Sequence, residues 1–385
     1  MQNFNYCNPT KLLFGKGKIA AISREIPADT RLLVTYGSGS IKANGVYDQV
    51  SQALAGREWF EFGGIEPNPC YETLMGAVEL VRKQSITMLL AVGGGSVADG
   101  TKFIAAAVGF EGDPWEILSR QAPVRSALPL GVVITLPATG SESNGFAVIS
   151  RKATQEKLSF GSPLCFPRFA VLDPDTTASL PRRQVANGVV DAFIHTMEQY
   201  MTYPAANALQ DRLAEGILLT LLEIGPKVVL PEPDYDTRAE LMWSATLALN
   251  GLIGCGVPQD WSTHHIGHEL TAVYGLDHAQ TLAVALPGVL RNRKAEKREK
   301  LLQYAGRIWG LTDGSPDERI ETAIARTEAF FQSLGVPTRL SAYGVDVANA
   351  PETIAARLEA RGDRTLGERG SITPAVVREI LATRL

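Results

Sequence analysis

Apolar positions in the first 180 residues come in short runs separated by polar and glycine-containing breaks. Lys11-Leu-Leu-Phe-Gly15, Arg31-Leu-Leu-Val-Thr-Tyr36, Trp59-Phe-Glu-Phe62 and Ile86-Thr-Met-Leu-Leu-Ala-Val92 read as strands, with Gly131–Leu136, Phe146–Ser150 and Phe169–Pro174 further on. Amphipathic segments near Ile19–Ile26, Tyr47–Ala55 and Tyr71–Gln84 follow several of them. That alternation predicts βαβ units and a mostly parallel sheet. Beyond Pro181 the period becomes helical, over 185–200, 205–222, 238–252, 294–309, 316–334 and 374–385, and strand signals nearly vanish. The expected architecture is an α/β N-terminal domain, residues 1–180, followed by an all-α C-terminal domain, residues 181–385. The basic run Arg291–Lys300, interleaved with acids, reads as a solvated helix face.

Composition adds limits. With 385 residues, 45% hydrophobic and 20% charged, the chain can fill two substantial cores. A net charge of −4 argues against a nucleic-acid or anionic-membrane partner. No apolar run reaches the ~18 residues of a spanning helix, and Met1-Gln-Asn-Phe-Asn-Tyr6 lacks a signal-peptide pattern. Cys7, Cys70, Cys165 and Cys255 are scattered without CxxC spacing, as expected for reduced thiols in a cytoplasmic protein.

Histidine is where chemistry concentrates. Gly188–Tyr200 reads as helix, and Asp191 and His195 lie four residues apart on one face of it. Such a pair alone is weak evidence, since most are ordinary side-chain hydrogen bonds. The chain has only five histidines, however, and His264, His265, His268 and His278 fall within one short segment. His264 and His268 again have helical i, i+4 spacing, and Gly275 is expected to end that helix and let His278 fold back from a loop. Imidazoles gathered in two segments, with a carboxylate, favour a site for a borderline divalent cation such as Zn²⁺ or Fe²⁺.

Three glycine- or hydroxyl-rich turns follow strands in the first half. Gly93-Gly94-Gly95-Ser96-Val-Ala-Asp99 leads into an alanine-rich helix, an order suited to anion binding at a helix N-terminus, with Ser96 and Asp99 matching a capping box. It is neither a GxGxxG fingerprint nor a P-loop. Gly37-Ser38-Gly39-Ser40 follows the strand ending at Tyr36, where an acid would often hold ribose hydroxyls. Here small neutral residues and Lys42 take that place, with no acid before Asp48. Thr135, Thr139 and Asn144 mark the third turn. Together these turns suggest a dinucleotide cleft between two domains, opening toward the metal.

With both halves in view, the chain resembles the group III, iron-containing alcohol dehydrogenases over its full length. The matching residues include Pro67-Asn68-Pro69, Gly93-Gly94-Gly95-Ser96-x-x-Asp99-x-x-Lys102, Thr139-Gly140-Ser141-Glu142, Asp191-Ala-x-x-His195-x-x-Glu198, and His264-x-x-Gly267-His268 through His278. Gly63–Pro69 and Gly256–Trp261 look like the branch of NADPH-dependent aldehyde reductases and butanol dehydrogenases. The resemblance implies a dehydroquinate synthase-like architecture, NADP(H) and one divalent metal ion as cofactors, and a homodimer. It implies Asp191, His195, His264 and His278 as the metal ligands, His268 beside the substrate, Lys157 reaching the cofactor, and no role for His265.

The expected reaction is hydride transfer between NADPH and aldehydes or alcohols, with His268 relaying a proton because imidazole titrates near neutrality. The cofactor is expected to contact Gly37, Ser38, Ser40, Asn68, Gly94, Gly95, Ser96, Asp99, Thr135, Thr139, Asn144 and Lys157. A dehydroquinate synthase-like lyase would be expected to add more Lys and Arg for a polyanionic substrate, which the metal segment lacks. A metal-dependent hydrolase would leave the three turns without a purpose. A non-enzymatic metal-binding scaffold is the remaining alternative.

Overall fold

The computed structural model describes residues 1–362 and 365–385, and it divides into two compact units. One comprises Cys7–Pro181 with Glu232–Asn250; the other comprises Met1–Tyr6, Arg182–Pro231 and Gly251–Leu385. The helix Tyr235–Leu249 therefore belongs to the sheet-bearing unit although it lies far along the chain.

In the first unit, strands β1 (Lys11–Phe14), β2 (Leu32–Tyr36), β3 (Trp59–Phe62), β4 (Met88–Gly93), β5 (Leu130–Ile134) and β8 (Phe169–Leu172) form a sheet of order β1-β8-β5-β4-β2-β3. Every pairing in it is parallel. The central strands are near-continuous apolar runs because both faces are covered, as a parallel sheet requires. Alternate residues serve opposite cores: Leu89, Ala91, Val132 and Ile134 pack on one side, and Met88, Leu90, Val92 and Val133 on the other. β6 (Phe146–Arg151) and β7 (Glu156–Gly161) form a separate antiparallel hairpin. Its second strand, which carries Lys157, has no clear apolar alternation and was not predicted.

The strand order matters for function. The chain leaves β2 for β3 on one side, then returns past β2 to β4 on the other. The carboxyl ends of β2 and β4 thus flank a topological switch point, where open α/β sheets bind ligands. The Gly37–Ser40 and Gly93–Ser96 turns are the segments that leave those two ends.

The second unit is helical. The helices Arg182–Tyr200, Ala208–Val228, Arg298–Arg307, Pro316–Ser333 and Pro374–Ala382 occupy stretches where helical periodicity was read, and Ser262–Tyr274 the segment that the His264 and His268 spacing marked as helix. Two further helices, His278–Asn292 and Ala350–Arg361, were missed. The basic run is solvated only in part. The helix ends at Asn292 and the next begins at Arg298, and Lys297 and Lys300 are both buried. Each meets carboxylates, Lys297 those of Asp260 and Glu368, and Lys300 that of Asp211. Among the described residues no helix is long and apolar enough to cross a membrane.

Candidate functional site

Three helices of the second unit bring the scarce histidines together. Arg182–Tyr200 presents Asp191 and His195 one turn apart, Ser262–Tyr274 presents His264, and His278 is the first residue of His278–Asn292. One ligand atom from each of these residues lies within 4.8 Å of the others. His195 Nε2 and His278 Nε2 are 3.7 and 3.8 Å from the same Asp191 oxygen. Tetrahedral bonds of ~2.0–2.2 Å would set ligand atoms about 3.5 Å apart, so this spacing already fits one ion.

The environment fits as well. Asp191, His195 and His264 are buried, and the His195 and His264 rings stack at 4.8 Å. His195 Nδ1 is buried without a hydrogen-bond partner among the described residues. A buried polar atom left unpaired costs roughly 1–3 kcal/mol. Structural Zn²⁺ sites contribute on the order of 10 kcal/mol, which would offset such crowding with a wide margin.

Neighbouring groups fix these side chains in place. A Glu198 carboxylate oxygen accepts from the His264 backbone N–H at 3.0 Å and faces His264 Nδ1 at 3.1 Å. With Nδ1 donating there, the lone pair of His264 falls on Nε2, toward the cluster. Burial and the neighbouring Asp260 carboxylate push the Glu198 carboxyl well above the usual range, and the His264 backbone N–H, the Lys297 ammonium and the Trp261 backbone N–H act against that. Sequence reading placed Glu198 in a motif without giving it a role. Its position three residues after His195, on the same helical face, was the available signal.

His278 does not fold back from a loop. Gly275 does terminate the preceding helix in a left-handed conformation, but Asp277 immediately caps the next one. The Asp277 carboxylate accepts from Arg183 and, at 2.8 Å, from Asn187, so the third ligand segment is tied to the first. Pro287 inside that helix hid it from the sequence. His268 stands outside the four-residue cluster, half-buried, with its ring 5.2 Å from that of His278. His265 points away, exposed, its ring bonded to the Trp261 carbonyl.

In the sheet-bearing unit the glycine run proves to be held partly by packing. A Cβ on Gly95 would lie 2.3 Å from Thr139 Oγ1, and one on Gly93 2.6 Å from Val97. Gly94, not Ser96, is the N-cap of the helix Gly95–Ala107, so the expected capping box is absent. Ser96 Oγ instead accepts from the Asn68 backbone N–H at 3.3 Å, and Asn68 holds a left-handed φ of 56°. Lys157, buried, donates to Asn68 Oδ1 at 2.8 Å. The Thr135 N–H donates to the Gly93 carbonyl, which fixes the third turn beside the first.

Asp99 and Asn144 face inward. The Asp99 oxygens accept from Ser141 Oγ at 2.5 Å and the Val148 N–H at 2.9 Å. Asn144 donates to the carbonyls of Gly140 and Leu249, and its oxygen accepts from Lys102 and the Phe146 N–H. Lys102 is fully buried, and loss of solvent lowers its pKa to about 8. Ser38 and Ser40 are exposed, whereas Lys42 is engaged by Glu61 at 3.0 Å. Tyr36 and Tyr47 donate to that same carboxylate. The sequence showed no acid near this turn because Glu61 arrives from the neighbouring strand β3.

Comparison with known proteins gives a consistent answer over the whole chain. Residues 9–174 match the profile of the iron-containing alcohol dehydrogenases, and residues 185–382 match that family's C-terminal profile. The chain is 60% identical to the NADPH-dependent aldehyde reductase YqhD of Escherichia coli, covering 99% of each sequence. It is 40% identical to a probable NADH-dependent butanol dehydrogenase of Bacillus subtilis over the full length of both. The crystal structure of YqhD superposes with a TM-score of 0.98 at 58% identity, covering 100% of this chain and 99% of that one. The parallel sheet, the helical unit and these matches together establish that the chain belongs to the iron-containing alcohol dehydrogenase family.

Proposed function

We propose that the protein is an NADPH-dependent aldehyde reductase that uses one divalent cation. The observation that carries this reading is the convergence of Asp191, His195, His264 and His278, joined to likeness with a relative of that activity. When bound, the cation supplies Lewis acidity at a substrate oxygen, and the nicotinamide supplies the hydride. Asp191, His195, His264 and His278 would hold the ion, and Glu198 keeps His264 in the tautomer that can bind it. His268, half-exposed beside His278, would deliver a proton from its imidazole to the product oxygen.

In the sheet-bearing unit, Gly94, Gly95, Ser96, Thr135 and Thr139 surround the end of β4 and would receive the cofactor's phosphates. Asn68 and Lys157, already paired to each other, would meet it from the side. Asp99 and Asn144 would act from behind, holding the Ser141–Phe146 loop in place. The reading also includes a homodimer, and a reducing cytoplasmic setting that suits four cysteines without disulfides.

The choice between NADPH and NADH is not decided by the family, since relatives of both kinds occur. It falls to the Gly37–Ser40 turn. Its exposed Ser38 and Ser40 hydroxyls can donate to a ribose phosphate, and Lys42 and two tyrosine hydroxyls hold the nearby Glu61 carboxylate. Each charge-assisted bond contributes roughly 1.5–3 kcal/mol, so two would favour NADPH about a hundredfold or more.

His264→Ala or His278→Ala should abolish metal binding and activity while circular dichroism stays close to wild type, and exposed His265→Ala should change neither. Full metal occupancy by mass spectrometry in either of the first two would show that the ligand set is wrong. His268→Ala should retain stoichiometric metal but lower kcat on the order of a hundredfold and remove a limb of the pH–rate profile. Loss of metal in that variant would make His268 a ligand instead. With aldehyde fixed, kcat/KM should favour NADPH over NADH by about a hundredfold. Ser38→Asp, at an exposed position, should lower that ratio tenfold or more; Gly37 is less suitable, since a Cβ there would lie 3.3 Å from the Ile65 carbonyl. Equal use of both cofactors by the wild type would refute the assignment, and no aldehyde turnover would refute the activity itself.

A further inference from the structure

A buried cation that the mechanism does not use stands behind the metal ligands. Lys297 lies in the break between Asn292 and Arg298 with its side chain 2% exposed. Its ammonium meets Asp260 Oδ2 at 2.8 Å, Glu368 at 2.8 and 2.9 Å, and the Met201 carbonyl at 2.8 Å. A lysine has three donors, and here all three directions are taken by protein oxygens. The Asp260 and Glu368 side chains are 4% and 6% exposed. Two carboxylates so deeply buried would be strongly disfavoured without that cation.

Asp260 links this group to the metal site. Its second oxygen, Oδ1, accepts from the Ser262 N–H at 3.0 Å, at the start of the helix that carries His264. Its own N–H donates to the Glu198 carbonyl at 2.9 Å, and Glu198 is the residue that orients His264. Between them sits Trp261, a non-glycine residue with a left-handed φ of 62°. Such a conformation is uncommon for a residue with a side chain and persists only where its surroundings enforce it. The Trp261 ring stands edge-on to His264 at 5.1 Å, so the turn sets both the backbone and the ring environment of that ligand.

We propose that Lys297 is a positioning residue for His264, acting through Asp260. Lys297 pins one oxygen of the Asp260 carboxylate so that the other holds the Ser262 N–H at the start of the Ser262–Tyr274 helix, and this fixes the strained Trp261 turn. The inference rests on the metal reading above. It also explains why residue 260 is an aspartate. The side chain must accept at both ends, from Ser262 N–H and from Lys297, and an asparagine can accept at only one.

The test uses Co²⁺ as the probe, with affinity from chelator competition, the visible spectrum of the loaded protein, and circular dichroism. Lys297→Met and Asp260→Asn should each bind Co²⁺ at least about tenfold more weakly, with a shifted or weakened visible band and wild-type circular dichroism. Lys300→Met is the control, because Lys300 is equally buried but pairs with Asp211 at 2.5 Å, outside this group. It should bind Co²⁺ as the wild type does. If Lys297→Met does not fold, Asp260→Asn decides, since it leaves Lys297 and Glu368 balanced one to one. Folded variants with wild-type affinity and spectrum would overturn the proposal, as would an equal loss in Lys300→Met. Failure of the wild type to take up Co²⁺ would instead overturn the metal reading, and this inference with it.

Discussion

The helical unit gathers polar groups whose convergence would be unfavourable by itself. Three imidazoles and a carboxylate, most of them buried, place ligand atoms within 4.8 Å of one another. A divalent cation satisfies that arrangement directly. Much of the surrounding polar structure makes sense as support. Glu198 sets the His264 tautomer, Asp277 ties the His278 helix to Arg183 and Asn187, and the Lys297 group stiffens the turn that leads to His264. Buried charge is weak evidence for stability in general, but it is well suited to holding a geometry.

The sheet-bearing unit solves a different problem. It places two backbone-rich turns at the carboxyl ends of β2 and β4, the switch point of the strand order. The glycines there do two things. They avoid contacts with Val97 and Thr139 that a Cβ would make too close and ease the approach to Leu136, and they leave the start of the Gly95–Ala107 helix as backbone. Neither reason excludes the other, and a glycine run alone would have been poor evidence for a cofactor.

Much of this was legible in the sequence because the signals were sparse and local. Five histidines in 385 residues, crowded into two segments, marked the candidate metal site without any fold in hand. Parallel strands buried on both faces gave unbroken apolar runs that could hardly be read otherwise. What escaped notice was set by tertiary contact. Pro287 disguised the helix that begins at His278, and Lys297 looked like one more charge in a basic run until burial paired it with Asp260 and Glu368. Ser96 and Asp99 had the spacing of a capping box, yet Gly94 took the cap while Ser96 turned to Asn68 and Asp99 to Ser141 and Val148. Spacing along the chain identifies which groups share a face, but it does not say what lies opposite.

The central claim is that catalysis needs a cation at the Asp191, His195, His264 and His278 cluster. The most direct measurement strips purified protein with a chelator, verifies the loss by mass spectrometry, and follows aldehyde-dependent NADPH oxidation by absorbance before and after adding back Fe²⁺ or Zn²⁺. Stripped protein should keep its circular dichroism, lose turnover, and regain it with one equivalent of metal. Undiminished turnover by protein shown to be metal-free would contradict that claim.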